Sequence, residues 1–85
     1  MAVRGTIRYW AAAKAAAGVS EEPYEAGNLG DALLAARADR DARFAAVLGS
    51  CSFVVDGNPV GARPHASVFL SDGGTVEVLP PFAGG

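Results

Sequence analysis

Two short stretches with alternating apolar and polar side chains lie at opposite ends of this chain. Near the start, Val3, Ile7 and Tyr9 alternate with Arg and Thr residues, and the segment Thr75–Leu79 near the end alternates in the same way. A period of two is typical of β-strands with one buried face. Strands at both ends of an 85-residue chain leave room for one core between them, so the sequence predicts a single α+β domain.

The strongest helix signal lies between these strands, over residues 28–38. Asn28 can cap the helix start, and Asp31 follows three residues later at the favourable end of the helix dipole. Apolar side chains then repeat at helical spacing on one face: Leu29, Leu33 and Ala36. We expect this helix to pack across a small mixed sheet, with Leu33 in the core.

Shorter elements fill the rest of the chain. The pattern predicts helical segments over 11–17 and 44–48, and strands over 19–26, 52–55 and 68–70. Pro23 cannot donate a ladder hydrogen bond, which places the strand over 19–26 at a sheet edge. Asp56-Gly57 is a tight-hairpin signal. The first and last strands both carry Val or Ile on one face, so we expect them to be adjacent and parallel, with Val76 and Val78 buried.

Charge and cysteine content narrow the class of protein. The net charge of −2 and the pI near 5.1 exclude bulk attraction to nucleic acid or to an anionic membrane as the driving force of binding. The single cysteine, Cys51, cannot form an internal disulfide, and no apolar run is long enough to span a membrane. We therefore expect a cytoplasmic protein.

The usual catalytic and metal-binding patterns are absent from the sequence. One His and one Cys cannot form a metal cluster of ordinary spacing, and no glycine-rich phosphate loop follows a strand. We interpret His65 as a solvated loop residue and Cys51 as a small packing residue. The three arginines at 37, 40 and 43 are interpreted as one solvated helix face. We expect no bound cofactor and no metal.

The last residues carry the most specific signal. Pro80-Pro81 ends the final strand, and Phe82-Ala83-Gly84-Gly85 follows. Composition alone favours a frayed end. The alternative is a slender tail that enters a narrow active site and presents the Gly85 carboxylate to ATP, because glycine has no Cβ to hinder its acyl carbon. A carboxylate is a poor acyl donor until adenylation supplies a leaving group.

Several stretches of the chain resemble the MoaD/ThiS family of ubiquitin-like sulfur-carrier proteins, and most of all the small subunit of molybdopterin synthase. The matching stretches are residues 7–18, Asn28-Leu29 with residues 31–33, residues 54–57, and residues 70–73 through 76–85. The ending Leu-Pro-Pro-Phe-Ala-Gly-Gly is the most specific of them. The resemblance covers nearly the whole chain.

The resemblance implies a β-grasp fold over residues 1–81, with a small mixed sheet against one main helix, and a flexible tail over 82–85. It implies a carrier rather than an enzyme. A ubiquitin-activating-like enzyme would use ATP to adenylate the carboxylate of Gly85, and a sulfur donor would convert it to a thiocarboxylate. Gly84 is the slender residue before it. The larger molybdopterin synthase subunit, or another acceptor enzyme, would then take the sulfur.

Aromatic residues indicate where such partners bind. Trp10, Phe53 and Phe69 cannot all pack against one helix, so we expect them on the opposite sheet face. Together with the tail root at Pro81 and Phe82 they form the predicted partner surface.

Other functions stay open. The chain could carry sulfur for thiamine thiazole, cysteine or a natural product, although by resemblance Pro80-Pro81 favours the molybdopterin branch over thiamine. It could be a protein modifier whose Gly85 joins target lysines. It could also be a plain β-grasp binding module with a meaningless tail.

Overall fold

The computed structural model describes residues 1–81. Five strands and three α-helices follow one another along this part of the chain. They are β1 (Val3–Tyr9), α1 (Ala11–Ala17), β2 (Glu21–Ala26), α2 (Leu29–Arg37), α3 (Ala42–Gly49), β3 (Ser52–Val55), β4 (Asn58–Pro59) and β5 (Thr75–Leu79), with a short 3₁₀ helix at His65–Ser67 between the last two strands. The predicted α+β class is confirmed.

The five strands form one mixed sheet in the order β2-β1-β5-β3-β4. The first and last strands are adjacent and parallel, as predicted, with Ile7 opposite Val76 and Tyr9 opposite Val78. The other neighbours pair antiparallel. Because β1 and β5 run side by side in the same direction, the residues that follow them, Trp10 and Pro80, emerge at the same end of the sheet.

The helices cover one face of this sheet, and the core lies between the two layers. Val76 and Val78 are fully buried and Leu33 is 6% exposed, so the predicted core positions are confirmed. The largest fully buried side chains are shared between β1, β5, α2 and α3: Ile7, Tyr9, Leu29, Phe44, Val76 and Val78. A sheet built this way has one covered face and one open face.

Local chemistry explains where the helices begin and end. The Asn28 side chain accepts a hydrogen bond of 2.9 Å from the backbone N–H of Asp31, which caps α2 as predicted. Asp41 caps α3 in the same way. Gly18 ends α1 with a φ of 82°, in the left-handed region that glycine adopts without strain.

A proline lies in each edge strand, Pro23 in β2 and Pro59 in β4. Neither can donate a ladder hydrogen bond, so both edges resist pairing with another strand. The predicted edge position of the second strand is confirmed.

The prediction of a strand over 68–70 is wrong. Phe69 makes an isolated bridge to Asn28, and the flanking bonds from Leu29 N–H to Val68 (2.9 Å) and from Leu70 N–H to Gly27 (3.0 Å) tie this segment to the start of α2 instead of to the sheet. The short apolar run therefore signalled burial correctly at Val68 and Leu70, but it did not signal sheet pairing.

The end of the sheet where β1 begins is sealed by the loop over 71–74, and we call it the closed end. The backbone N–H of Gly73 donates to the Arg4 carbonyl at 2.6 Å, and that of Thr6 donates to the Gly74 carbonyl at 3.0 Å. The Tyr24 hydroxyl donates to the Ser71 carbonyl at 2.7 Å. Backbone and side-chain bonds thus join β1, β2 and the loop into one unit.

The hairpin at Asp56-Gly57 completes the closed end. Both residues have positive φ, 50° and 83°, as a two-residue turn between β3 and β4 requires, so the predicted tight turn is confirmed. The Asp56 carboxylate accepts hydrogen bonds from the Thr75 backbone N–H at 2.8 Å and from the Ser71 hydroxyl at 2.6 Å. These bonds lower the pKa of Asp56 below its usual value.

No helix within residues 1–81 is long and apolar enough to cross a membrane.

Candidate functional site

The tail leaves the domain at the end of the sheet opposite the closed end, and we call this end of the sheet the tail end. The backbone N–H of Trp10 donates to the Val78 carbonyl at 3.2 Å, so β1 and β5 finish together. Pro80 is half-buried and Pro81 is exposed. The predicted site residues Phe82, Gly84 and Gly85 lie outside the described residues, and their roles stay predictions. What the structure fixes is the point from which the tail departs.

Apolar side chains line the open face from that point across β3 to the edge strand β4. Strand alternation turns Phe53 and Val78 toward the helices, and it turns their neighbours Val54 and Leu79 to the open side. Pro59 lies opposite Val54 in the register. We call the following set the root surface: Trp10, Val54, Pro59, Leu79 and Pro81. Each is half-buried or exposed.

Charges of both signs border the root surface. Arg8 on β1 lies opposite Glu21 on one side and Glu77 on the other, all on the open face. Its guanidinium carbon lies 4.9 Å from the centroid of the Trp10 ring, within the range of a cation–π interaction. A partner would therefore meet an apolar patch rimmed by mixed charge, rather than a field of one sign.

Phe53 does not belong to this surface, and the expectation that it lies on the opposite sheet face is wrong. It is 7% exposed on the helix-covered face, where it lies opposite Val78. The His65 ring meets it edge-on with centroids 5.0 Å apart. Predicting the face of a four-residue strand needs its pairing register, because a slip of one residue reverses every side chain.

Phe69 is exposed as predicted, at 79%, but it lies far from the tail root. Its bridge to Asn28 places it beside the start of α2, at the closed end. There it lines a shallow cavity of about 400 Å³ with Met1, Glu25 and Asp31 among others. Its role as a partner contact stays a prediction, but the fold separates it from Trp10 and Pro81 by the length of the sheet.

A partly buried charge network lies beneath the tail end, and sequence reasoning missed it. Two nitrogens of Arg40 donate to the Glu22 carboxylate at 2.8 and 3.1 Å, and the Tyr9 hydroxyl donates to the same carboxylate. Arg40 also donates to the backbone carbonyls of Ala17 (3.2 Å) and Ala36 (2.7 Å). Arg40 thus links α1, α2 and β2, and Glu22 extends the network to Tyr9 on β1.

The interpretation of residues 37, 40 and 43 as one solvated helix face is therefore wrong. The helix α2 ends at Arg37, and Arg40 lies in the turn before α3. A signal was available in the sequence: Glu22 alternates with Tyr24 and Ala26 on the core-facing side of β2. A carboxylate at an inward position requires a cationic or donor partner.

Burial and pairing act in opposite directions on this carboxylate. Burial by itself would raise the pKa of Glu22, but the hydrogen bonds from Arg40 and Tyr9 and the Arg40 charge outweigh it and hold the pKa below its usual value. The pKa of Tyr9 is raised, first by burial and then by its bond to Glu22. Both shifts favour the charged carboxylate and the protonated hydroxyl, so the network acts as structural support for the tail end.

The predicted packing role of Cys51 agrees with the structure. The residue is half-buried against the core, its Sγ lies 3.1 Å from the Val47 carbonyl, and burial raises the pKa of the thiol. A raised pKa leaves less of the reactive thiolate. Within residues 1–81 no three His, Cys, Asp or Glu side chains are grouped so that they could hold a metal ion.

No protein-family model matches the chain, and no curated protein matches it. Solved structures do match over almost its whole length. The solution structure of small archaeal modifier protein 1 from Methanosarcina acetivorans has a TM-score of 0.83 and 21% identity, and the match covers 100% of this chain and 99% of that one.

Two further matches carry a different description. A putative molybdopterin converting factor subunit 1 from Pyrococcus furiosus has a TM-score of 0.75 and 23% identity, covering 94% of this chain and 99% of that one. A chain from the complex of subunits 1 and 2 of the Helicobacter pylori molybdopterin-converting factor has a TM-score of 0.69 and 20% identity, covering 98% and 100%. At these identities the matches establish the fold, and the β-grasp architecture that the sequence resemblance implied is confirmed.

Proposed function

We propose that this protein is a sulfur carrier whose working group is the α-carboxylate of Gly85, and that it serves molybdopterin synthesis. The observation that supports this most directly is the junction between fold and tail. An ordered sheet ends in two prolines beside an apolar surface, and the sequence continues into a segment that finishes with two glycines. The β-grasp neighbours described as subunit 1 of a molybdopterin converting factor support the choice of pathway.

The proposed chemistry needs only the terminal carboxylate of this chain. A carboxylate becomes an acyl donor once ATP converts it to an acyl-adenylate and releases pyrophosphate. A sulfur nucleophile can then replace AMP at the same carbonyl carbon and leave a thiocarboxylate. Gly84 and Gly85 let the backbone approach closely during both steps. In this proposal the chain itself supplies no catalytic side chain, and the activating enzyme supplies the ATP site.

The root surface would orient the tail in a partner's active site. Trp10, Leu79 and Pro81 lie where the tail departs, so docking of this patch fixes the direction in which the following residues extend. Four residues beyond Pro81 reach about 13 Å when extended. The partner's reactive centre would therefore lie within about that distance of the docked surface. The activating enzyme and the larger synthase subunit would use this patch in turn.

Intact-mass analysis tests the proposal. The purified protein is incubated with ATP, a ubiquitin-activating-like enzyme and a sulfur source. We expect the mass to rise by the difference between one sulfur and one oxygen. A variant that lacks Gly85, and one extended by a residue after it, should show no gain, because each displaces the acyl group by about 3.3 Å. The same spectrum reports whether Gly85 carries the free carboxylate. Sulfur gain by either variant would refute the carrier role.

A protein modifier is the second candidate, because neighbours of the same fold are described as small archaeal modifier protein 1. Activation at Gly85 would be the same, but a lysine amine would replace AMP instead of sulfur. A lysine-linked adduct of this chain on other proteins in cell extract would support it. Rescue of a strain that lacks its molybdopterin synthase small subunit would favour the sulfur carrier.

A further inference from the structure

The chain contains one lysine, Lys14, and six arginines. This imbalance matters for acyl chemistry. An arginine guanidinium stays protonated and delocalised at neutral pH and does not accept acyl groups, whereas a lysine ammonium becomes a nucleophilic amine when it loses one proton. Lys14 therefore carries the only side-chain amine of this protein that can accept an acyl group as an isopeptide.

The fold places Lys14 at the tail end of the sheet. The helix α1 begins at Ala11, directly after β1, and β1 finishes beside β5. Ala13 is 1% exposed and fixes the helix against the core, so the next residue turns outward. Lys14 is therefore close to the root surface without being part of it, and far from the closed end that holds Met1.

The surroundings leave the Lys14 amine accessible. The exposed positions next to it on α1 are alanines, at 11, 12 and 15, which offer little steric cover. Within residues 1–81 the Lys14 side chain makes no hydrogen bond and no salt bridge. It lines a shallow cavity of about 230 Å³ together with Arg8, Trp10, Ser20 and Glu21 among others. Two cations beside an indole ring suit a thin chain end that carries the anionic phosphate of an acyl-adenylate, while Glu21 opposes it from one side.

We propose that Lys14 is the acceptor for acylation by the activated Gly85 of a second copy of this chain, an inference that rests on the proposed activation of that carboxylate. The ε-amine attacks the carbonyl carbon of the acyl-adenylate. A C–N amide bond forms, the C–O bond to AMP breaks with its electron pair leaving on AMP, and the amine proton passes to water. No oxidant or reductant takes part.

The product is a dimer whose linkage lies beside the acceptor's own tail root. The attached copy would crowd Trp10 and the start of the acceptor's tail. Self-acylation at Lys14 therefore consumes the tail of the donor copy. It also hinders the acceptor copy from docking through its root surface. A sulfur source would compete with this reaction for the same adenylate, so the dimer should accumulate when sulfur is scarce.

The test uses the full chain with ATP and the activating enzyme, with and without a sulfur source, and follows pyrophosphate release and intact mass. Without sulfur we expect a covalent dimer with the mass of two chains less one water, and a Gly85–Lys14 branched peptide after digestion. Lys14→Arg keeps the charge and should abolish the dimer while pyrophosphate release continues at the wild-type rate.

A relocated lysine tests whether position matters. Lys14→Arg combined with Arg43→Lys moves the amine to an exposed site on α3, and we expect on the order of tenfold less dimer. Adenylation without any dimer, dimer that persists in Lys14→Arg, or equal dimer from the relocated lysine would each overturn the proposal. Absence of pyrophosphate release from the wild type would instead refute the proposed activation itself, and the Lys14 reaction with it.

Discussion

The two ends of the sheet are built in opposite ways. At the closed end, backbone groups of Arg4, Thr6 and Thr75 are all satisfied by the 71–74 loop or by the Asp56 carboxylate. At the tail end, apolar side chains on the open face stay exposed or half-buried within residues 1–81, and the last strand stops at two prolines.

This difference indicates that the two ends of the sheet have different roles. A hydrogen-bonded loop holds the starts of β1 and β5 in register. The other end can then leave Trp10 exposed and Leu79 half-buried, because the Arg40 network secures the covered side of the sheet there. Loop hydrogen bonds thus stabilise the closed end, whereas at the tail end the network lies on the covered side and the open face is left for the proposed docking. The predictions that follow test that separation.

The largest effect should come from Gly5→Ala at the closed end. A Cβ there would lie 2.3 Å from the Tyr24 ring and 2.5 Å from the Gly74 carbonyl oxygen, so strand and loop would have to move apart. We expect the free energy of unfolding to fall by about 3 kcal/mol. Gly49→Ala, where a Cβ meets nothing within 4 Å, is the matched control and should leave stability unchanged or slightly higher. Equal denaturation midpoints for the two variants would contradict this account of the closed end.

Arg40→Ala tests the support beneath the tail end. Its removal leaves the Glu22 carboxylate and the Tyr9 hydroxyl partly buried without their cationic partner. We expect a loss of about 2 kcal/mol in chemical denaturation. Arg43→Ala, at an exposed position on the next helix, should change the free energy of unfolding by less than about 0.5 kcal/mol. If both variants lose the same stability, the network has no special role.

Trp10→Ala tests the root surface. The side chain is 40% exposed and its backbone bond to Val78 survives the change, so the fold should persist. We expect the Kd for the activating enzyme or synthase partner to rise by about tenfold. Phe69→Ala is the comparison at the closed end and should have the smaller effect. A larger rise in Kd from Phe69→Ala than from Trp10→Ala would place the docking surface at the closed end instead.

Acid should weaken the fold modestly. Glu22 and Asp56 have pKa values below their usual range in the folded protein, so each stabilises the fold above its ordinary pKa, near 4, and that contribution is lost as pH falls through the lower folded value. Denaturation measured from about pH 5 down to about pH 2 should show stability that falls with pH, and the slope should be shallower in Glu22→Gln. An unchanged slope would show that Arg40 does not hold the Glu22 charge.

Local signals in the sequence predicted most of the fold. Alternation located β1 and β5, the Asn28 cap located α2, and Asp56-Gly57 located the hairpin, because each depends on chemistry within a few residues. Phe53 and Arg40 were predicted wrongly because their environments depend on pairing register and on contacts across 18 residues of sequence between Glu22 and Arg40. The tail was recognised by resemblance. The position of Phe69 at the opposite end of the sheet from the tail could be seen only once the sheet order was known.

An NMR titration of the labelled protein with the activating enzyme or the larger synthase subunit tests the central claim most directly. Amide signals at the tail end, from Trp10, Leu79 and their neighbours on β1 and β5, should shift or broaden first. Signals of the closed end, from Tyr24, Phe69 and the 71–74 loop, should stay in place. Changes centred on the closed end, with the tail end unaffected, would contradict the account.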